Sequence, residues 1–209
     1  MESSDKRSIP LLCTAYFPPV EYFHLLASYP AVEVEACESY QKQSWRNRCT
    51  IYSAGGIQIL QIPVCHDNIK SGPVSETVID YSREWLHQHR IAIISAYRSS
   101  PFFEYYWDGI DAILQSRPKK LFDLNMALTR HIASEMELHC TVTPTYTFVR
   151  DGGPLDFRSR IHPKSKEGPV FETKPYYQIF SQKSGFIGNL SILDLLFHEG
   201  PQAADFLKD

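Results

Sequence analysis

The order of patterned segments predicts an α/β (or α+β) protein: one mixed β-sheet flanked by helices, with a β-hairpin near residues 50–64 and a helical middle section. Three observations carry that prediction. Strand-like runs flank a helix-periodic segment at the start of the chain, a glycine turn separates two further strand-like runs, and the middle repeats apolar residues at helical spacing.

In chain order, "SIPLLCTAYF" reads as a first buried strand, and Pro18-Pro19 turn the chain. "VEYFHLLASYP" follows with Tyr22, Leu25, Leu26 and Tyr29 at i, i+3, i+4 and i+7, a helix that Pro30 ends. "AVEVEAC" alternates Val32 and Val34 with Glu33 and Glu35, the pattern of a strand with one wet face. "CTIYS" and "IQILQIPV" flank Ala54-Gly55-Gly56 as a hairpin, because glycine reaches the positive φ a tight turn needs.

Three helices are expected next. Trp85, His89, Ile93 and Tyr97 fall in one i, i+4 row, a shorter helix follows Pro101, and Leu121, Leu124, Leu128 and Ile132 share a face with Asn125. "CTVTPTYTFV" returns to strand character with a break at Pro144. Residues 150–175, rich in Gly, Pro and charge, read as a long loop, and a loop of that length in a compact domain is usually functional or mobile. Ser191 with Asp194 has capping-box spacing, Gly200-Pro201 is a stop signal, and "QAADFL" a last short helix.

The 209 residues, 43% of them hydrophobic, suffice for one core, so residues 1–209 are read as a single domain. A net charge of −3 with mixed signs argues against a nucleic-acid partner. No apolar run approaches the roughly 20 residues of a membrane span, so no stable membrane insertion is expected. The first residues lack the apolar core and cleavage site of a signal peptide, which points to the cytoplasm. Cys13, Cys37, Cys49, Cys65 and Cys140 are scattered and odd in number, with no metal-binding spacing, and read as reduced thiols. No metal ligand is assigned, and no cofactor is identified.

Chemistry concentrates in three places. "SYQKQSWRNR" (39–48) crowds Lys42, Arg46, Asn47 and Arg48 between strands, where two guanidinium forks, an ammonium and an amide could converge on one anion. In extended geometry Arg46 and Arg48 would share a face. The plainer alternative is a solvated basic loop answering Glu33, Glu35 and Glu38. His89 lies on an apolar helix stripe, where it is either a neutral general base or a core histidine satisfied by the backbone. "DFRSRIHPK" gathers Asp156, Arg158, Arg160, His162 and Lys164, which could complete an anion site or supply an acid–base histidine. No P-loop, GxGxxG, GxSxG or HExxH pattern is present.

Taken together, "TAYFPPVEYF", "ESYQKQSWRNRCTI", "AYRSSPFFEYY", "FDLN", "IHPK", "YYQIF" and "GFIGNLSILDLLFHEGP" resemble the WbqC-like proteins over roughly residues 9–207. Asn47-Arg48, His89 after Trp85, Tyr97 before Pro101 and the Asn189–Asp194 segment match position by position. Thr14-Ala15 and Glu21 depart from a Gln-Pro and a later Gly of many members, and His198 stands where asparagine is common. The resemblance implies a role in bacterial surface-polysaccharide (O-antigen-type) biosynthesis, in some cases as a glycine (aminoacyl) transferase acting on an amino sugar.

The expected function is therefore a cytoplasmic acyl or glycyl transferase. Its partner would be a small anionic substrate, a sugar nucleotide or activated acyl donor. His89 and His162 are the candidate bases, and Lys42, Arg46, Asn47, Arg48, Arg158 and Lys164 the anion-binding set. The alternative is a non-catalytic anion- or nucleotide-binding scaffold. A nucleotidylyltransferase-like reading of the first strand and turn lacks the HxGH that chemistry uses. The pocket discriminates: a transferase gathers the 42–48 loop and a histidine into a concavity with room for two substrates, whereas a scaffold disperses them.

Overall fold

The computed structural model describes residues 8–65 and 72–208, and the absences and counts below refer to those residues. β1 (Leu11–Cys13), α1 (Val20–Ser28) and β2 (Ala31–Glu35) form a strand–helix–strand unit, with Leu12 opposite Val34 in parallel pairing. Every β1 residue is buried, so the strand is covered on both faces and its sequence is apolar without alternation. β2 alternates until its last position, where Glu35 breaks the pattern and is fully buried. That exception belongs to the site described below.

β3 (Arg48–Ser53) and β4 (Gly56–Gln61) make the expected hairpin, turning through Ala54 and Gly55, with Gly56 at φ +102°. β5 (Thr141–Pro144) pairs in parallel with the far side of β2, giving the order β1-β2-β5. The α/β class holds, but the two kinds of pairing are divided between two sheets: the hairpin does not join the parallel one. The outer edge of β3 is occupied otherwise. Its Tyr52 N–H donates to Tyr97 Oη at 3.2 Å, and the Ser191 N–H donates to the Thr50 carbonyl at 2.9 Å.

α2 (Trp85–Tyr97) buries the predicted Trp85, His89, Ile93, Tyr97 row. α3 (Phe103–Gln115) precedes α4 (Leu121–Glu135), whose Leu121, Leu124, Leu128 and Ile132 are all completely buried. After a short α5 (Ser181–Ser184), α6 (Ile192–Glu199) begins at Ser191, whose Oγ accepts from the Leu193 N–H at 3.3 Å. Asp194 does not complete a capping box. Its buried Oδ2 accepts instead from Tyr176 Oη at 2.6 Å and Gln178 Nε2 at 2.7 Å, tying the preceding loop to the helix. A 3₁₀ helix, Gly200–Leu207, ends the described chain.

The long loop is threaded against the sheet. The Phe157 N–H donates to the Leu11 carbonyl at 2.9 Å, so residues 156–157 lie beside β1. This brings the chemistry of the 156–164 segment to the edge where the parallel strands end.

Candidate functional site

In open parallel sheets, ligands bind outside the carboxyl ends of the strands. Here the loops leaving β2 and β5 enclose a cavity of about 770 Å³, whose lining includes Cys37, Glu38, Gln41, Phe148, Arg158 and His162. Glu35, the buried last residue of β2, holds its walls together. Its Oε1 accepts from the Cys37 N–H at 2.8 Å and Thr145 Oγ1 at 2.7 Å. Its Oε2 accepts from the Val149 N–H at 2.9 Å and Arg158 Nη1 at 3.2 Å. One carboxylate thus pins three chain segments, which repays the desolvation of a buried charge.

Arg158 is fully engaged. Besides Glu35 it grips Asp156 as a fork, Nε to Oδ1 at 2.9 Å and Nη2 to Oδ2 at 2.6 Å, and lies over the Phe148 ring. Burial pushes the Asp156 carboxyl up, but the bonds to Arg158 outweigh it and hold the group below the usual carboxylate range. Arg46 is equally committed: it is completely buried, with Nε and Nη2 both on Glu38 Oε1 at 3.0 and 2.5 Å. These two arginines are therefore struts, and the predicted convergence of Lys42, Arg46 and Arg48 on one anion is not what the fold builds. β3 begins only at Arg48, so strand alternation does not govern Arg46.

Glu38 is the site residue that sequence reasoning passed over, treating it as a counterion. Oε1 is clamped by Arg46, whereas Oε2 accepts no hydrogen bond from the described residues. Burial raises its carboxyl above the ordinary range, and the neighbouring Arg46 only partly reverses this. A carboxylate with one oxygen fixed and a raised pKa suits proton transfer.

His162 lines the same cavity. Its Nδ1 accepts from the Lys164 N–H at 3.1 Å, so the neutral ring carries its proton on Nε2. Burial lowers its pKa, and the positive charges of Arg46 and Lys164 lower it further. In this arrangement the imidazole is a hydrogen-bond donor, with Nδ1 already used. Lys164 is a brace, donating from Nζ to Gln43 Oε1 at 2.6 Å.

His89 lies elsewhere, lining neither this cavity nor the next. It is 4% exposed, bonds through Nδ1 to Tyr16 Oη at 3.0 Å and meets the Trp85 ring edge-on. Burial depresses its pKa to about 4, despite a hydrogen bond with the Gln61 backbone. Asn125 pins the loop, donating from Nδ2 to Thr14 Oγ1 at 3.1 Å and to the Arg46 carbonyl at 2.8 Å.

The remaining predicted residues gather on the other side of the 39–43 segment. Lys42, Asn47 and Arg48 help line a second cavity of about 310 Å³, joined there by Tyr40 and Arg83, which the sequence did not single out. Side chains along this segment are shared out: Glu38, Ser39 and Gln41 serve the larger cavity, Tyr40, Lys42 and Gln43 the smaller. Among the described residues no cluster of three or more His, Cys, Asp or Glu side chains is placed to hold a metal. Nor is any helix among them long and apolar enough to cross a membrane.

The fold and site define an α/β protein with a cavity lined by Glu38, Arg158 and His162 at the carboxyl edge of a parallel sheet. The chain belongs to the WbqC-like protein family, whose model matches residues 14–164. That match contains β1's exit, the 39–48 loop and the segment through Lys164. The chain is also 23% identical to Uncharacterized protein Rv1507c of Mycobacterium tuberculosis, an alignment covering 97% of this chain and 98% of that protein. No solved structure matches significantly.

Proposed function

We propose that this protein is a cytoplasmic enzyme of bacterial cell-surface polysaccharide (O-antigen-type) biosynthesis, transferring an acyl group such as glycyl to an amino sugar. The observation that supports this reading is Glu38, held by a buried arginine with its second oxygen unengaged, lining the same cavity as His162. Acyl transfer to an amine needs a proton acceptor and a donor for the developing oxyanion. The acceptor amine attacks the carbonyl carbon of the activated donor. Glu38 Oε2 takes the proton that nitrogen sheds, His162 Nε2–H donates to the carbonyl oxygen, and collapse expels the donor's leaving group. Gln41 and Ser39 offer hydroxyl-binding groups for a sugar, and the half-exposed Phe148 ring offers a face for it to pack on.

The second reading, a non-catalytic anion- or nucleotide-binding protein, is favoured by the cations of the smaller cavity. Glu38→Gln separates the two, because an amide oxygen still accepts from Arg46 but takes no proton. The full chain would be incubated with acyl-CoAs, aminoacyl-adenylates and nucleotide-activated amino sugars, and products followed by mass spectrometry. An N-acylated amino sugar whose formation falls about 10²–10⁴-fold in Glu38→Gln supports the transferase. No product from any pair supports the scaffold, and a product indifferent to Glu38→Gln removes Glu38 as the base.

A further inference from the structure

The larger cavity's cations are spent on its own carboxylates, and those of the smaller cavity are not. Lys42, Arg48 and Arg83 face one lining carboxylate, Asp80, and the Arg83–Asp80 approach is a loose 3.9 Å. Asp80 is itself occupied, accepting at Oδ1 from the Ser82 N–H at 2.9 Å and from Ser82 Oγ at 2.6 Å. Lys42 and Arg48 form no ion pair with any described residue. The lining therefore carries an excess of about two positive charges, with Arg48 half-buried and Lys42 and Arg83 exposed to solvent.

Two buried atoms of residues in this lining lack partners. Arg48 Nε has no acceptor and Asn47 Oδ1 has no donor among the described residues, and Asn47 is 2% exposed. Asn47 cannot relieve this by turning its amide, because Nδ2 already donates to the Ile62 carbonyl at 2.7 Å. Buried polar groups left unpaired cost free energy that a ligand recovers. The two orphans ask for different things, an anionic oxygen at Arg48 and a hydroxyl or N–H at Asn47. Tyr40, Pro63 and Val64 supply an apolar side to the same recess.

We infer that the smaller cavity is a binding site for a phosphate monoester, its dianionic phosphate held by Lys42, Arg48 and Arg83 and its organic part offering a hydroxyl or N–H to Asn47. Two net charges match a dianion better than a carboxylate, and the guanidinium forks match phosphate oxygens. The site stands independently of the reaction proposed for the larger cavity, since neither Glu38 nor His162 lines it.

The test is isothermal calorimetry on the full chain with glucose 1-phosphate, inorganic phosphate, sulfate and acetate. The wild type is compared with Lys42→Ala/Arg83→Ala, whose side chains are exposed, and with Arg98→Ala/Lys208→Ala as a control for net charge. Glucose 1-phosphate should bind more tightly than acetate, and the cavity double variant should weaken it at least tenfold while the control leaves it within twofold. Because a phosphate ester loses its second proton near pH 6, affinity should fall about tenfold between pH 7.5 and pH 5. Equal binding of acetate and phosphate ester, no binding at all, or equal losses in both double variants would overturn the assignment. Since Glu38→Gln leaves this lining untouched, phosphate binding surviving in that variant keeps the two proposals separately testable.

Discussion

Lowering the pH should destabilise the fold through His89. The ring is buried against Tyr16 and Trp85, and its pKa falls from 6.5 to about 4 because burial penalises the charged form. A depressed folded-state pKa means the unfolded chain binds the proton first. The stabilisation is thus complete above pH 6.5 and is lost as pH falls from there toward 4. With those two values, linkage gives a loss of about 1.8 kcal/mol between pH 7 and pH 5. For a chain of 209 residues that lowers Tm by about 4 °C. Glu21, Glu38 and Asp194 work in the opposite direction, since burial raises their carboxyl pKa values and protonation on acidification relieves them. The comparison must therefore be between wild type and His89→Gln, followed by urea denaturation at pH 7 and pH 5. His89→Gln should be less stable at pH 7 but should lack the acid-dependent loss, so the two stability curves converge by about 1.8 kcal/mol. Parallel curves, or an imidazole that titrates near 6.5 by NMR in the native protein, would refute the argument.

Two further outcomes follow from buried polar groups. Arg46→Ala leaves Glu38 charged and without its clamp, which should cost about 3–5 kcal/mol in urea denaturation at pH 7. Part of that cost should return at low pH, where Glu38 takes up a proton and needs no partner. Asn125→Leu removes the amide bonding Thr14 Oγ1 and the Arg46 carbonyl, and should cost about 1–3 kcal/mol through the unpaired groups left behind. A variant within 0.5 kcal/mol of wild type would mean the loop holds its place without that amide.

Local pattern was enough to read the elements. The α2 row, the α4 stripe, the hairpin and the strand–helix–strand opening all stand where periodicity and turn residues place them, because each depends on neighbours a few residues away. His89 was legible only as a pair of alternatives; the fold bonds it to Tyr16, 73 residues earlier, and leaves it off the lining of both cavities. The loop "SYQKQSWRNR" was legible as chemistry but not as geometry. Its cations look equivalent in one dimension, yet Arg46 is buried on Glu38 while Lys42 and Arg48 line a separate recess.

The sequence by itself determined the α/β class, the faces of the helices and the segments in which function concentrates, since hydrophobic burial follows short-range period. Only the tertiary structure decided which charges remain available to a ligand. Arg158 reaches Glu35 across 123 residues besides its neighbour Asp156, and Glu38 is left half-engaged by a single buried arginine. Charge pairing is a property of distance in space, and between residues far apart in the chain no local spacing encodes it.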